Sequence, residues 1–222
     1  MGQNQIVSGG TALFAGVFAG VAVVALVILV FIIVVVANRA EPDPRGLRPY
    51  SVYLFGMSFV TLLLTYAGVT MIVTSLLSFI GSHDSPIADS VASSVVIGGI
   101  LVLIAGGALH YHLRKGLEIA RGDGTADGPN ARVLHTYVSV VTFIFFATML
   151  ITLGVAIYLV FQLIGPGIFG AGAGRTATLR TLLDVVYVMG ASGFIILAHS
   201  RLAPTALRLG ALGAPSGAGS HQ

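Results

Sequence analysis

The chain has 222 residues, of which 56% are hydrophobic and 9% charged, against roughly 25% charged in an ordinary soluble domain. That composition excludes a soluble globular protein, and the lack of cysteine excludes disulfides and thiolate metal sites. The net charge of +3 is spread over loops without a stripe of basic and stacking aromatic residues, so no nucleic-acid partner is expected.

Five apolar runs follow one another, at about 11–37, 50–80, 91–110, 133–164 and 180–200. Each is long enough to cross the roughly 30 Å hydrocarbon core as a helix, the conformation that satisfies its backbone groups within one segment. None alternates apolar with polar residues as a barrel strand does. The expected fold class is therefore all-α, a polytopic membrane helix bundle of five transmembrane helices with the lipid bilayer as its first partner.

The first run follows "MGQNQIVSGG" and exceeds the roughly 7–15 residues of a signal-peptide core, so it reads as a retained helix. It carries Gly16-x-x-x-Gly20. The Pro-rich "NRAEPDPRGLRP" reads as a stiff link to the second run, where Ser58, Thr61, Thr65, Gly68 and Ser75 form one stripe of small and hydroxyl side chains. The third run holds Ser94, Gly98 and Gly106 and ends in "LHYHLRKG". After it, "RGDGTADGPNAR" reads as a mobile, solvated turn, because the third ligand and closing Glu of a calcium loop are missing.

The fourth run ends in "GPGIFG", a formal dinucleotide-loop match that lacks the preceding strand the chemistry needs. The fifth carries Gly190 and Gly193, and the tail "APSGAGSHQ" reads as disordered. Gly16, Gly20, Ser58, Thr61, Thr65, Gly68, Ser75, Ser94, Gly98, Gly106, Gly190 and Gly193 are the expected helix-packing positions, since small residues let membrane helices approach closely.

Basic residues divide unevenly between the two sides. Arg39, Arg45, Arg48, Arg114, Lys115, Arg121, Arg132, Arg201 and Arg208 fall on one side, and only Arg175 and Arg180 on the other. Because basic flanks stay cytoplasmic, the N-terminus is expected outside and the C-terminus inside. All basic residues but Lys115 are arginine, a bias of GC-rich bacterial genomes, and the expected location is the bacterial inner membrane.

An internal repeat is also legible. Arg48 to Gly81 aligns without a gap to Arg132 to Gly165, matching Arg48 with Arg132, Tyr53 with Tyr137 and Phe59 with Phe143. Beyond it "GGALHYHLR" aligns with "GFIILAHSR", matching Gly106 with Gly193, His112 with His199 and Arg114 with Arg201. The expected organisation is an N-terminal span and linker (1–47), a first two-helix repeat with its loop (48–131), a second repeat (132–202) and a tail (203–222). Both halves enter from the same side, as in a parallel 2+2 repeat about the membrane normal. This double pattern, Arg-x(4)-Tyr opening a long helix and His-x-Arg closing the next, resembles an uncharacterised bacterial multi-pass membrane family of unknown function built from tandem helix pairs. The resemblance implies the architecture and no activity.

The candidate chemistry is sparse. His110 and His112 point about 200° apart on a helix and do not form a chelating pair. His112, His135 and His199 all lie near the basic boundary, where an imidazole serves as an interfacial anchor. The alternative is that they ligate haem b or help bind a quinone, though no buried carboxylate is at hand to orient a ring. Asp184, the one acid inside a span, is a possible ion or proton site, with Arg180 four residues earlier available to pair on the same face.

No nucleophile or acid–base pair stands out, so no enzyme activity and no cofactor are expected. The expected function is a non-catalytic integral membrane protein, an accessory or scaffold subunit of a larger bacterial membrane complex that contacts other membrane subunits or itself. The alternatives are a haem- or quinone-binding redox subunit and a small-solute or ion carrier.

Overall fold

A computed structural model describes residues 43–80, 87–124, 128–165 and 174–202. They form four helices, α1 (Arg48–Leu77), α2 (Ile87–Arg121), α3 (Pro129–Ile164) and α4 (Gly174–Ser200), with no strand among the described residues. All four are long and apolar enough to cross a membrane. The expected first helix at 11–37, with Gly16 and Gly20, lies outside the described residues, as does the tail.

Two helices run further than the hydropathy implies. α2 continues past His110 to Arg121, because no turn residue interrupts it until Gly122-Asp123-Gly124 and its polar end makes its own pairs. Glu118 accepts from Lys115 at 2.8 Å and from Arg114 at 3.3 Å. α3 has 36 residues, about 54 Å at 1.5 Å per residue, so it must tilt or project beyond the hydrocarbon.

Both long entry helices begin with a proline in the first turn, where its missing N–H costs nothing. Neither N-cap residue bonds through its own side chain. An upstream aspartate does that work instead. Asp43 Oδ2 accepts the Arg48 N–H at 2.8 Å, across a turn in which Gly46 has φ of 63°. Asp123 does the same for α3, as described below.

The main packing partners are α1 with α2 and α3 with α4, giving two antiparallel hairpins. Within the first, the backbones nearly touch. A Cβ on Gly68 would lie 2.8 Å from the Gly98 carbonyl oxygen, and one on Gly98 would lie 2.7 Å from that of Gly68. Further along, Gly106 faces Thr65, at 3.8 Å from its added Cβ, and the aligned Gly193 faces the aligned Met149 at 4.0 Å.

The hairpins meet through α1 and α3. Phe55, Phe59 and Leu62 of α1 pack with Val133, Leu134, Tyr137, Val141 and Phe145 of α3, and Ala120 of α2 joins them. The Phe55 and Tyr137 rings sit 5.3 Å apart, and those of Tyr66 and Phe145 5.2 Å. This core lies in the half of the bundle that bears Arg48 and Arg121. Most of the remaining apolar surface is uncovered, including Leu103, Phe143, Ile164 and Phe194, as suits helices facing lipid.

Candidate functional site

The titratable groups concentrate at the basic end of the bundle. His199 is buried there, with its Nδ1 2.9 Å from the Ile195 carbonyl and its Nε2 3.1 Å from the Tyr137 hydroxyl. A carbonyl only accepts, so Nδ1 carries the proton, and in the neutral ring Nε2 accepts from the tyrosine O–H. Tyr137 is 3% exposed and Phe55 covers it. The pair is a closed hydrogen-bonded unit linking α3 to α4.

The aligned residues of the first hairpin also meet. His112 Nδ1 lies 2.7 Å from the Ala108 carbonyl, the same one-turn bond that His199 makes. Tyr53 sits edge-on to His112 with centroids 5.9 Å apart, against 5.7 Å for Tyr137 and His199. Tyr53, however, is 52% exposed. It stacks on Tyr50, and Tyr111 also touches His112. An exposed cluster of three tyrosines and one histidine at a basic helix end has the chemistry of an interfacial aromatic belt.

His135, the third expected ligand, is exposed on α3. No group of three His, Asp or Glu side chains among the described residues could hold a metal ion. Both nitrogens of His199 are engaged, so haem ligation there requires breaking one of its two hydrogen bonds.

Asp123 was not expected to matter, yet its side chain is buried, at 3% exposure, while Gly122 and Gly124 on either side are exposed. Oδ2 accepts from the backbone N–H of Asn130 at 2.7 Å and of Ala131 at 3.1 Å, while Oδ1 accepts from Asn130 Nδ2 at 2.8 Å and from the Arg45 guanidinium. Burial pushes this carboxyl up, but the Asn130, Ala131 and Arg45 donors outweigh it and hold it below its ordinary value. Gly128 is required beside it, since a Cβ there would lie 2.5 Å from the aspartate. Asp123 therefore ties the linker before α1, the end of α2 and the start of α3 into one joint. A cavity of about 490 Å³ opens beside it, next to Asp43, Pro44 and Arg45; of its three charges, Arg45 and Asp123 pair with each other and Asp43 accepts the Arg48 N–H.

Asp184 is half-buried on α4 and its Oδ1 has no hydrogen-bond partner. The expected ion pair with Arg180 does not form. The Arg180 guanidinium instead donates to the Ile80 carbonyl, at 3.2 Å from Nε, because the carbonyls at the end of α1 lack partners in their own helix and carry its negative dipole end.

The stripe of small residues divides. Gly68 and Gly98 make the close approach, Gly106 and Gly193 make ordinary contacts, and Gly190 is exposed with nothing within 4 Å of an added Cβ. Ser58 and Thr61 are buried, while Thr65, Ser75 and Ser94 are half-buried. The hydroxyls of Ser58, Thr61 and Thr65 donate to carbonyls one turn back, at 2.8, 2.7 and 2.7 Å, so their protons are not offered to a solute. Besides the Arg180 bond to the Ile80 carbonyl, Tyr66 and Ser192 meet across the hairpins at 3.4 Å.

No known protein family, curated protein or solved structure matches the chain.

Proposed function

We propose that this chain is a non-catalytic, polytopic protein of the bacterial inner membrane that acts as an accessory or scaffold subunit of a larger membrane assembly. It has five spans, the first at 11–37, with the N-terminus outside and the basic end of the bundle in the cytoplasm. The four helices after the first form a parallel 2+2 repeat. Two recurring contacts support that organisation, Tyr53/His112 with Tyr137/His199 and Thr65/Gly106 with Met149/Gly193.

One observation carries the functional reading. The buried polar pairs His199–Tyr137 and Asp123–Asn130 are bonded internally, Asp184 being the exception, while long apolar faces on every helix stay uncovered. A protein arranged this way invests in surfaces rather than in a reaction centre. The carrier alternative keeps one observation, the partnerless Asp184 Oδ1.

The test is the mass and protein composition of the particle extracted from native membranes in mild detergent. A stoichiometric assembly larger than the single chain is expected. A lone monomer contradicts the scaffold reading.

A further inference from the structure

The two hairpins are alike in sequence, yet they do not meet through like faces. From α1 the contact uses Phe55, Phe59, Leu62 and Tyr66, spaced four, three and four apart, a single ridge along the helix. From α3 it uses Leu134, Tyr137, Val141 and Phe145. By the repeat alignment these α3 residues correspond to Tyr50, Tyr53, Met57 and Thr61 of α1. Tyr53 and Phe55 point about 200° apart at 100° per residue. The internal interface is therefore heterologous, with the ridge of the first hairpin lying against the tyrosine face of the second.

A heterologous contact leaves one unused copy of each face. The unused ridge is Ser139, Phe143, Phe146 and Leu150 of α3, the counterparts of Phe55, Phe59, Leu62 and Tyr66. Phe59 is 0% exposed and Phe143 is 72% exposed. The unused tyrosine face is on the first hairpin, where Tyr50 and Tyr53 are exposed beside His112 and Met57 is half-buried, while Thr61, the fourth counterpart, is buried. In the second hairpin the same face is closed by Phe55.

We propose that a second copy of this chain docks on the first by repeating the internal interface, its Phe143 ridge seated against the Tyr53–His112 face. This rests on the scaffold reading and names the partner. The internal contact is the precedent. The chain already builds one such joint between two units of this shape, and the surviving ridge is apolar at Phe143, Phe146 and Leu150, with Ser139 standing where the used ridge has Phe55. Because each copy offers one ridge and one tyrosine face, the contact propagates head to tail, closing into a ring or extending in the membrane plane according to its rotation. A lipid-facing surface requires no such pairing of opposite faces.

The natural chain has no cysteine, so engineered cysteines report on this directly. The internal neighbours Phe55 and Tyr137 translate, through the repeat, into Ser139 on one copy and Tyr53 on the other. Tyr53→Cys and Ser139→Cys chains with different tags are co-expressed and oxidised in native membranes. A mixed-tag disulfide dimer is expected, in large excess over dimers of either variant alone and over any involving Leu103→Cys on the far surface of α2. A single chain carrying Phe55→Cys and Tyr137→Cys controls for folding and for oxidation at that depth, giving an internal disulfide. With that control positive, absence of the mixed dimer overturns the proposal. So does a prevalent Tyr53→Cys homodimer, which means a two-fold interface, or an internal disulfide between Tyr53→Cys and a cysteine placed in 11–37, which means that segment covers the face. In those cases a particle holding other proteins still supports the scaffold reading, whereas a lone monomer in detergent together with a mixed dimer in the membrane separates the two claims the other way.

Discussion

The two Tyr–His pairs are the same device in two settings. In the second hairpin Phe55 seals Tyr137 against His199, and every polar atom of the imidazole is satisfied inside the protein. In the first, Tyr53 and His112 keep nearly the same ring separation, but the neighbouring ridge is missing and the tyrosine stays open. The local geometry comes from the sequence of each hairpin; whether it is sealed depends on what lies beside it. The hairpins also differ at their closest point. Gly68 and Gly98 bring α1 and α2 to backbone contact, whereas their aligned positions are Thr152 and Val185, which carry side chains.

The largest expected effect comes from that pinch. Gly68→Ala forces a Cβ against the backbone of Gly98, which cannot turn aside, and should cost the upper part of the roughly 1–3 kcal/mol typical of overpacking. Thr152→Ala at the aligned position should cost less, and thermal midpoints of both variants in detergent compare them. Equal losses would mean the two hairpins close alike.

Next is Tyr137→Phe, which leaves His199 Nε2 buried without a donor at a cost of about 1–3 kcal/mol. Tyr53→Phe at the exposed counterpart should stay within about 0.5 kcal/mol. Asp123→Ala removes an off-site helix cap and should cost about 0.5–2 kcal/mol. The carboxyl of Asp123 is held below its ordinary value of 3.8 in the folded chain. Its contribution is thus fully present above that ordinary value, and is lost as pH falls through the lower folded value. An acid titration of stability should show this loss in the natural chain and not in Asp123→Asn. The smallest effect is at Gly107, where an added Cβ meets nothing; Gly107→Ala should be neutral or stabilising by up to about 1 kcal/mol through helix propensity.

The four described helices were legible because helices able to cross a membrane announce themselves by length and apolarity. The face each helix would bury was not. α1 and α3 are apolar all round, so no stripe distinguishes the ridge from the lipid surface. The small-residue criterion selected Gly68 and Gly98, which lie where α1 and α2 approach closely, and equally Gly190, which is exposed. Asp123 was invisible for a different reason. An aspartate among glycines ordinarily reads as solvated turn, and its role depends on Arg45 returning from 78 positions earlier. Likewise Arg180 and Asp184 had ideal helical spacing, but the carbonyl of Ile80, in the turn that follows α1, took the guanidinium.

The central claim is that one Tyr–His pair is closed by its own chain while its counterpart is kept open. Double-mutant cycles on the purified single chain test it most directly, pairing Tyr137→Phe with His199→Ala and Tyr53→Phe with His112→Ala. A coupling energy of roughly 0.6–1.7 kcal/mol, the range for hydrogen bonds between membrane helices, is expected for the first pair, and near zero for the second. Equal coupling in both pairs, or none in the first, would contradict it.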